Sequence, residues 1–203
     1  PEACRFSPDS ALLVPMVRLD QPPEQALRGL QRILPDGTKR FTKGMDKPGT
    51  CCRLGGLHEV GAPLLLCEGW ATGSSIRAAL RQMARPLPVF VCFDAGNLRE
   101  VSRLLARLHP SCPQVLCADD DWKTTDPQGR PLNPGRVAAS EARDETLAAG
   151  VPAISTHPVW RGVREAGWTD FNDLHLSRGV AEVAQQIGLA LEVLHHLRAA
   201  RRV

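Results

Sequence analysis

The acidic residues of this 203-residue chain gather at the ends of apolar runs. Asp119, Asp120 and Asp121 stand side by side directly after VLCA. Adjacent carboxylates repel one another and resist desolvation. A divalent cation is the first candidate to offset that cost. The same placement recurs at Glu68 after PLLLC and at Asp94 after VFVCF, and Asp170 and Asp173 lie in TDFNDLH beyond VPAIST. One acid at a strand end is ordinary, because Asp favours turns and helix N-caps. Four such ends in succession point to an oxygen-ligand site for Mg²⁺ or Mn²⁺. In an extended chain Asp119 and Asp121 face the same side and Asp120 faces away, so the outer two could share an ion.

The elements that must position these acids follow from the hydrophobic pattern. The short apolar runs at 63–69, 86–94, 113–120 and 151–156 read as strands. Between them, residues 72–84, 97–109 and 135–150 carry apolar positions at helical spacing. A helical turn near 170–176 and a helix over 180–198 close the chain. Strands apolar on both faces that alternate with helices predict a parallel α/β sheet of about four strands, covered by helices on both faces. Ligands of such sheets bind beyond the carboxyl ends of the strands, where the acids stand.

Ahead of this region the charge changes sign. Residues 28–53 hold seven cations, Arg28, Arg32, Lys39, Arg40, Lys43, Lys47 and Arg53, against Asp36 and Asp46 alone. GLQRIL and KRFTK flank the turn sequence PDGT, which predicts a basic hairpin over 29–43. Its cations suit a phosphate-backbone contact, the plainer alternative being a solvated sheet face. The expected organisation is a small basic β-rich subdomain at 1–61 followed by a catalytic domain with a C-terminal helix at 62–203.

Composition narrows the class. A net charge of +3 with 43% apolar residues suits a globular cytoplasmic protein. No apolar run approaches the roughly 20 residues of a membrane span, so no membrane partner is expected. Seven cysteines without a CxxC pair support neither a zinc knuckle nor a disulfide framework. HEVGA at His58 lacks the second histidine of a zinc protease motif, and His195 and His196 have no acidic partner in view. Trp70, Trp122, Trp160 and Trp168 read as packing residues, although each could stack on a base. Arg198, Arg201 and Arg202 form a basic tail. The start at Pro1 rather than Met suggests a fragment of a longer chain.

In order, GLQRILPDGTKRFTKG, EGWATGSS, FDAGN, ADDD with a later NPG, and TDFNDLH resemble the Toprim catalytic core of DnaG-type primases. They also look like the primases carried by conjugative plasmids, integrated elements and prophages. The resemblance runs over nearly the whole chain from about Val14. It implies a Toprim fold in which Glu68 is the first-motif glutamate and Asp119 and Asp121 are the metal-binding pair. Asp170 and Asp173 correspond to the third acidic motif. DFND is one residue wider than the Asp-x-Asp of many bacterial primases, so either residue could be the ligand. An insert at 122–132 separates the acidic pair from Asn133, Pro134 and Gly135. The zinc-binding domain that usually precedes this core is not found, nor is a GxxxxGK[ST] helicase motif.

The implied activity is synthesis of an RNA primer from ribonucleoside triphosphates on single-stranded DNA. Two divalent ions would assist attack of a 3′-hydroxyl on an α-phosphate. Glu68 would serve as ligand or general base. Arg32, Lys39, Arg40, Lys43 and Lys47 would hold phosphates, with Gly69, Asp94 and Asn97 near the nucleotide. For Asp94 and Asn97 the plainer alternative is capping of the helix that starts near Leu98, weighed equally with a site role for Asn97. Thr72 or Ser74 could cap the helix after Gly69. A replicative helicase or further domains of a longer chain are the expected protein partners. The alternatives are a Toprim phosphodiesterase, which cuts with the same metals, and a non-catalytic docking module. A topoisomerase that links itself to DNA needs a tyrosine, and the chain has none.

Overall fold

The structure, a computed structural model, describes residues 4–56 and 59–200. His58, Arg201 and Arg202 lie outside the described residues. The amino-terminal part contributes β1 (Arg5–Phe6), β2 (Leu12–Arg18), the single turn α1 (Pro23–Ala26), β3 (Leu27–Ile33), β4 (Lys39–Phe41) and β5 (Thr50–Leu54). The rest alternates as β6 (Leu64–Cys67), α2 (Trp70–Gln82), β7 (Val89–Val91), α3 (Ala95–Leu108), β8 (Gln114–Cys117), α4 (Pro134–Ala148) and β9 (Ala153–Thr156). Two further helices, α5 (Phe171–Arg178) and α6 (Val180–Ala200), complete it.

The four apolar runs form four parallel strands in the order β7-β6-β8-β9. Their side chains alternate between two cores. Leu65 and Cys67 join Ile76 of α2, Phe171 of α5 and Ile187 of α6. Leu64 and Leu66 join Leu98 and Leu105 of α3 and Ala139 of α4. Each fully buried Leu removes enough apolar surface from water to contribute about 1.5–3 kcal/mol. Helix α2 lies close to the sheet because Gly73 has no side chain: a Cβ there would stand 2.8 Å from Val91 Cγ2 and 3.1 Å from Cys67 Sγ.

The hairpin is formed by β3 and β4, with Arg32 opposite Arg40 and Ile33 opposite Lys39. Gly37, at φ +84°, makes its turn in a conformation that disfavours L side chains. Strand β2 carries Pro15, which pairs with Leu30 of β3. Strand β5 is antiparallel to both β2 and β7, so the sheet runs without a break from β4 to β9. Val14, Met16 and Leu54 accordingly share a core with the helices of the second half. No helix of the described residues is long and apolar enough to cross a membrane.

Candidate active site

Parallel strands in register deliver their next residues to one rim. Cys67 pairs with Cys117 and with Val91, so Glu68 leaves its strand level with Ala118, and Asp119 follows one residue on at the same rim, close enough to feel the Glu68 charge. Asp170 reaches the same rim as the N-cap of α5, its Oδ1 accepting from the Asp173 N–H at 2.8 Å. Asp121 accepts at Oδ2 from the Gly135 N–H at 3.1 Å.

The rim is crowded and largely dry. Burial, and then the Asp121 carboxylate, push Glu68 up to about 7. Burial, then Glu68, Asp170 and Asp121, push Asp119 up to about 9. Burial also raises Asp170, against the opposing Thr72 hydroxyl. Glu68 Oε1 and Asp119 Oδ1 are buried without a hydrogen-bond partner. Buried carboxylate oxygens are normally satisfied, so two orphaned oxygens on neighbouring acids suit a site that takes a ligand. Among the described residues no three His, Cys, Asp or Glu side chains converge into a ready-made cage. The hard oxygen donors of this rim nonetheless fit a divalent cation.

The two acids of DFND do different things. Asp173 Oδ2 accepts from the Thr169 N–H at 2.7 Å and the Asp170 N–H at 3.2 Å, completing a capping box. Asp170 is the one whose charge is felt at Glu68 and Asp119.

The start of α4 was not assigned a role from sequence, yet it closes the rim. A Cβ on Gly135 would stand 2.4 Å from the Asp119 carbonyl oxygen and 3.0 Å from Glu68 Oε1. Asn133, in the left-handed region at φ 45°, caps the helix and accepts at Oδ1 from the Asp121 N–H at 3.0 Å. Pro134 at the first helical position was the available signal. Helix α2 differs from expectation: its N-cap is Gly69, with no side-chain cap, and Thr72 Oγ1 instead donates to Asp170 Oδ2 at 2.5 Å.

The basic residues divide into two groups. Lys47 pairs with Asp94 and sits 5.4 Å over the Phe41 ring, and Arg32 pairs with Asp9 at 2.6 Å. Lys39, Arg40 and Lys43 are exposed and have no ion pair among the described residues. The Lys39 charge nevertheless reaches Asp119 and opposes its upward shift, so the hairpin overlooks the rim. Phe93 ties the two together. Its N–H donates to the Glu68 carbonyl at 2.7 Å, and its ring meets Phe41 edge-on at 6.3 Å. It holds φ 75°, a strained conformation for a bulky side chain.

Asp94 caps α3, whereas the Asn97 side chain is spent elsewhere. Asp94 Oδ1 accepts from the Asn97 N–H at 2.8 Å. The buried Asn97 side chain donates to the Thr50 and Cys92 carbonyls and accepts from the Gly49 N–H. It therefore ties α3 to the strands on either side, with both amide groups committed to backbone.

The Toprim domain family's sequence profile matches residues 63–181, which include β6 through the start of α6. Two Escherichia coli proteins named DNA primase TraC are also similar. One is 37% identical over 115 residues, covering 56% of this chain and 10% of that protein. The other is 32% identical over 136 residues, covering 64% of this chain and 9% of that protein. The chain thus spans about a tenth of the length of the curated relatives it matches. With the family profile spanning more than half of its residues, over a parallel sheet whose ends present Glu68, Asp119 and Asp121, the chain belongs to the Toprim family.

Proposed function

We propose that this chain is the catalytic core of a DNA primase, joining ribonucleotides on a single-stranded DNA template. The observation that carries the reading is the pair of orphaned oxygens, Glu68 Oε1 and Asp119 Oδ1, on an acidic rim overlooked by a basic hairpin. Both relatives named above bear the name DNA primase, which supports the same reading.

Asp119, Asp121 and Asp170 would hold the divalent ions, with Asp173 as the cap that fixes Asp170. Bound there, Mg²⁺ or Mn²⁺ would lower the pKa of the attacking 3′-hydroxyl and neutralise charge on the phosphates. Glu68 has a free oxygen, Oε1, for either an ion or the hydroxyl proton. Gly135 orients Asp121 through its N–H, and the bare Cα leaves room for Glu68 beside it. Lys39, Arg40 and Lys43 would hold template or primer phosphates without reading sequence. Lys47 and Arg32, already paired, shape the hairpin. We place residues 1–61 and 62–203 as two parts of this one catalytic unit, since β5 joins the two halves of the sheet. Helicase or further domains of a longer chain would act as partners from outside it, in the cytoplasm.

The test is incubation with single-stranded DNA, labelled ribonucleotides and Mg²⁺ or Mn²⁺. Short RNA products that vanish in Asp121→Asn support the proposal. Cleaved DNA in place of primers would make the chain a phosphodiesterase.

A further inference from the structure

Asp120 lies between the two acids assigned to metal, yet its carboxylate is only 8% exposed and points into a different set of partners. Arg164 grips it with a fork: Nη1 donates to Oδ2 at 2.6 Å and Nη2 to the Asp120 carbonyl at 2.8 Å. Its Nε donates to the Trp168 carbonyl at 2.8 Å. The guanidinium also lies 4.2 Å from the Trp160 ring centroid and 4.9 Å from that of Trp122. On the other side, Asn133 Nδ2 donates to Asp120 Oδ1 at 2.6 Å.

We propose that Asp120 and Arg164 form a latch that positions the acidic rim, so that uptake of a divalent cation depends on it. The inference rests on the reading of the rim as a divalent-cation site. A buried ion pair alone would be a weak basis, since such pairs often add little stability. Here the pair joins the three segments that build the site. The Asp120 N–H donates to the Thr169 carbonyl at 2.7 Å, one residue before Asp170. Asn133 bridges the Asp120 carboxylate and the Asp121 N–H while capping α4, whose Gly135 meets Asp119 and Glu68. Asp120 sits between the two acids in the chain, so a shift of the backbone at residue 120 would carry the side chains of 119 and 121 off the rim together. Arg164 is thus a positioning residue, and its planar fork, which reaches side chain and main chain at once, is not reproduced by Lys.

The experiment compares Arg164→Lys, Arg164→Met and the double variant Asp120→Asn/Arg164→Met with the wild-type chain and with Asp119→Asn. Mn²⁺ binding is read directly from the spectroscopic signal of free Mn²⁺, alongside circular dichroism and melting in EDTA. The double variant leaves no buried charge unpaired, so it decides the matter if Arg164→Met fails to fold. Partners that orient metal ligands are typically worth 10–100-fold in affinity, so each folded latch variant should bind Mn²⁺ about tenfold more weakly. In primer synthesis the Mg²⁺ concentration for half-maximal rate should rise more than the saturating rate falls. Folded latch variants with Mn²⁺ affinity within about twofold of wild type, far below the loss expected for such partners, would overturn the latch while leaving the rim intact. A wild-type chain that binds Mn²⁺ no better than Asp119→Asn would overturn both the latch and the metal site beneath it.

Discussion

Asp119→Asn should stabilise the metal-free protein, and increasingly so as pH rises. The variant keeps the size of the side chain and removes a charge that burial and three neighbouring acids oppose. In the unfolded chain an Asp loses its proton near pH 4. In the fold Asp119 holds it up to about 9. The folded state therefore binds a proton that the unfolded state has released between those values. The stability this group contributes is complete below about pH 4 and drains away as pH climbs toward 9. Each pH unit is worth about 1.4 kcal/mol, so three units to pH 7 set a ceiling of about 4 kcal/mol. Glu68 and Asp170 take up protons in the same range and share the relief, which makes a gain of about 2 kcal/mol at pH 7 the working expectation. For a domain of this size that is a melting temperature higher by about 4–8 °C. Thermal melts in EDTA across the pH range measure it directly. Saturating Mn²⁺ should then reverse the order, raising the wild-type melting temperature and leaving the variant's nearly unchanged. A variant less stable than wild type in EDTA at pH 8, or a gap that ignores pH, would refute the account of a strained acidic rim.

The hairpin prediction concerns salt. Replacing Lys39, Arg40 and Lys43 with Ala should weaken binding of all single-stranded DNA sequences and flatten the salt dependence by about 0.7 per lost contact; an unchanged slope in an anisotropy titration would leave the hairpin a solvated face. Asp170→Asn should lower Mn²⁺ affinity, whereas Asp173→Ala should lose a cap worth about 1 kcal/mol and keep that affinity. The reverse ranking would make Asp173 the ligand. Asn97→Ala should destabilise by about 2–3 kcal/mol, because it strands the Gly49 N–H and two buried carbonyls. Its nucleotide KM should hold; a raised KM at an unchanged melting temperature would restore Asn97 as a nucleotide contact.

The four parallel strands and their helices were legible because the signals are local. Runs such as LLLC and QVLC are apolar on both faces, and α3 repeats its apolar residues at helical spacing from Leu98 to Leu105. The hairpin was legible from Pro35-Asp36-Gly37. Strands β2 and β5 were not foreseen. Pro15 interrupts the pattern of the first, and TCCRL becomes a strand by inserting between β2 and β7, a pairing no local window contains. The period of two along an extended chain marked Asp119 and Asp121 as partners and Asp120 as the odd one.

What Asp120 does instead was decided by tertiary structure, since Arg164 lies 44 residues away in a segment without motif. The different surroundings of Asp170 and Asp173 were likewise closed to sequence, because the Thr72 that bonds Asp170 lies 98 residues away. The need for glycine at 135 arises only when the α4 terminus is laid against the Asp119 carbonyl. Residue type and spacing determined which acids could share an ion, because side-chain direction along a strand is a local property. Which oxygens are left without partners, and how far the pKa of each acid is raised, depends on burial and on neighbours brought together by the sheet, and these exist only in the folded chain.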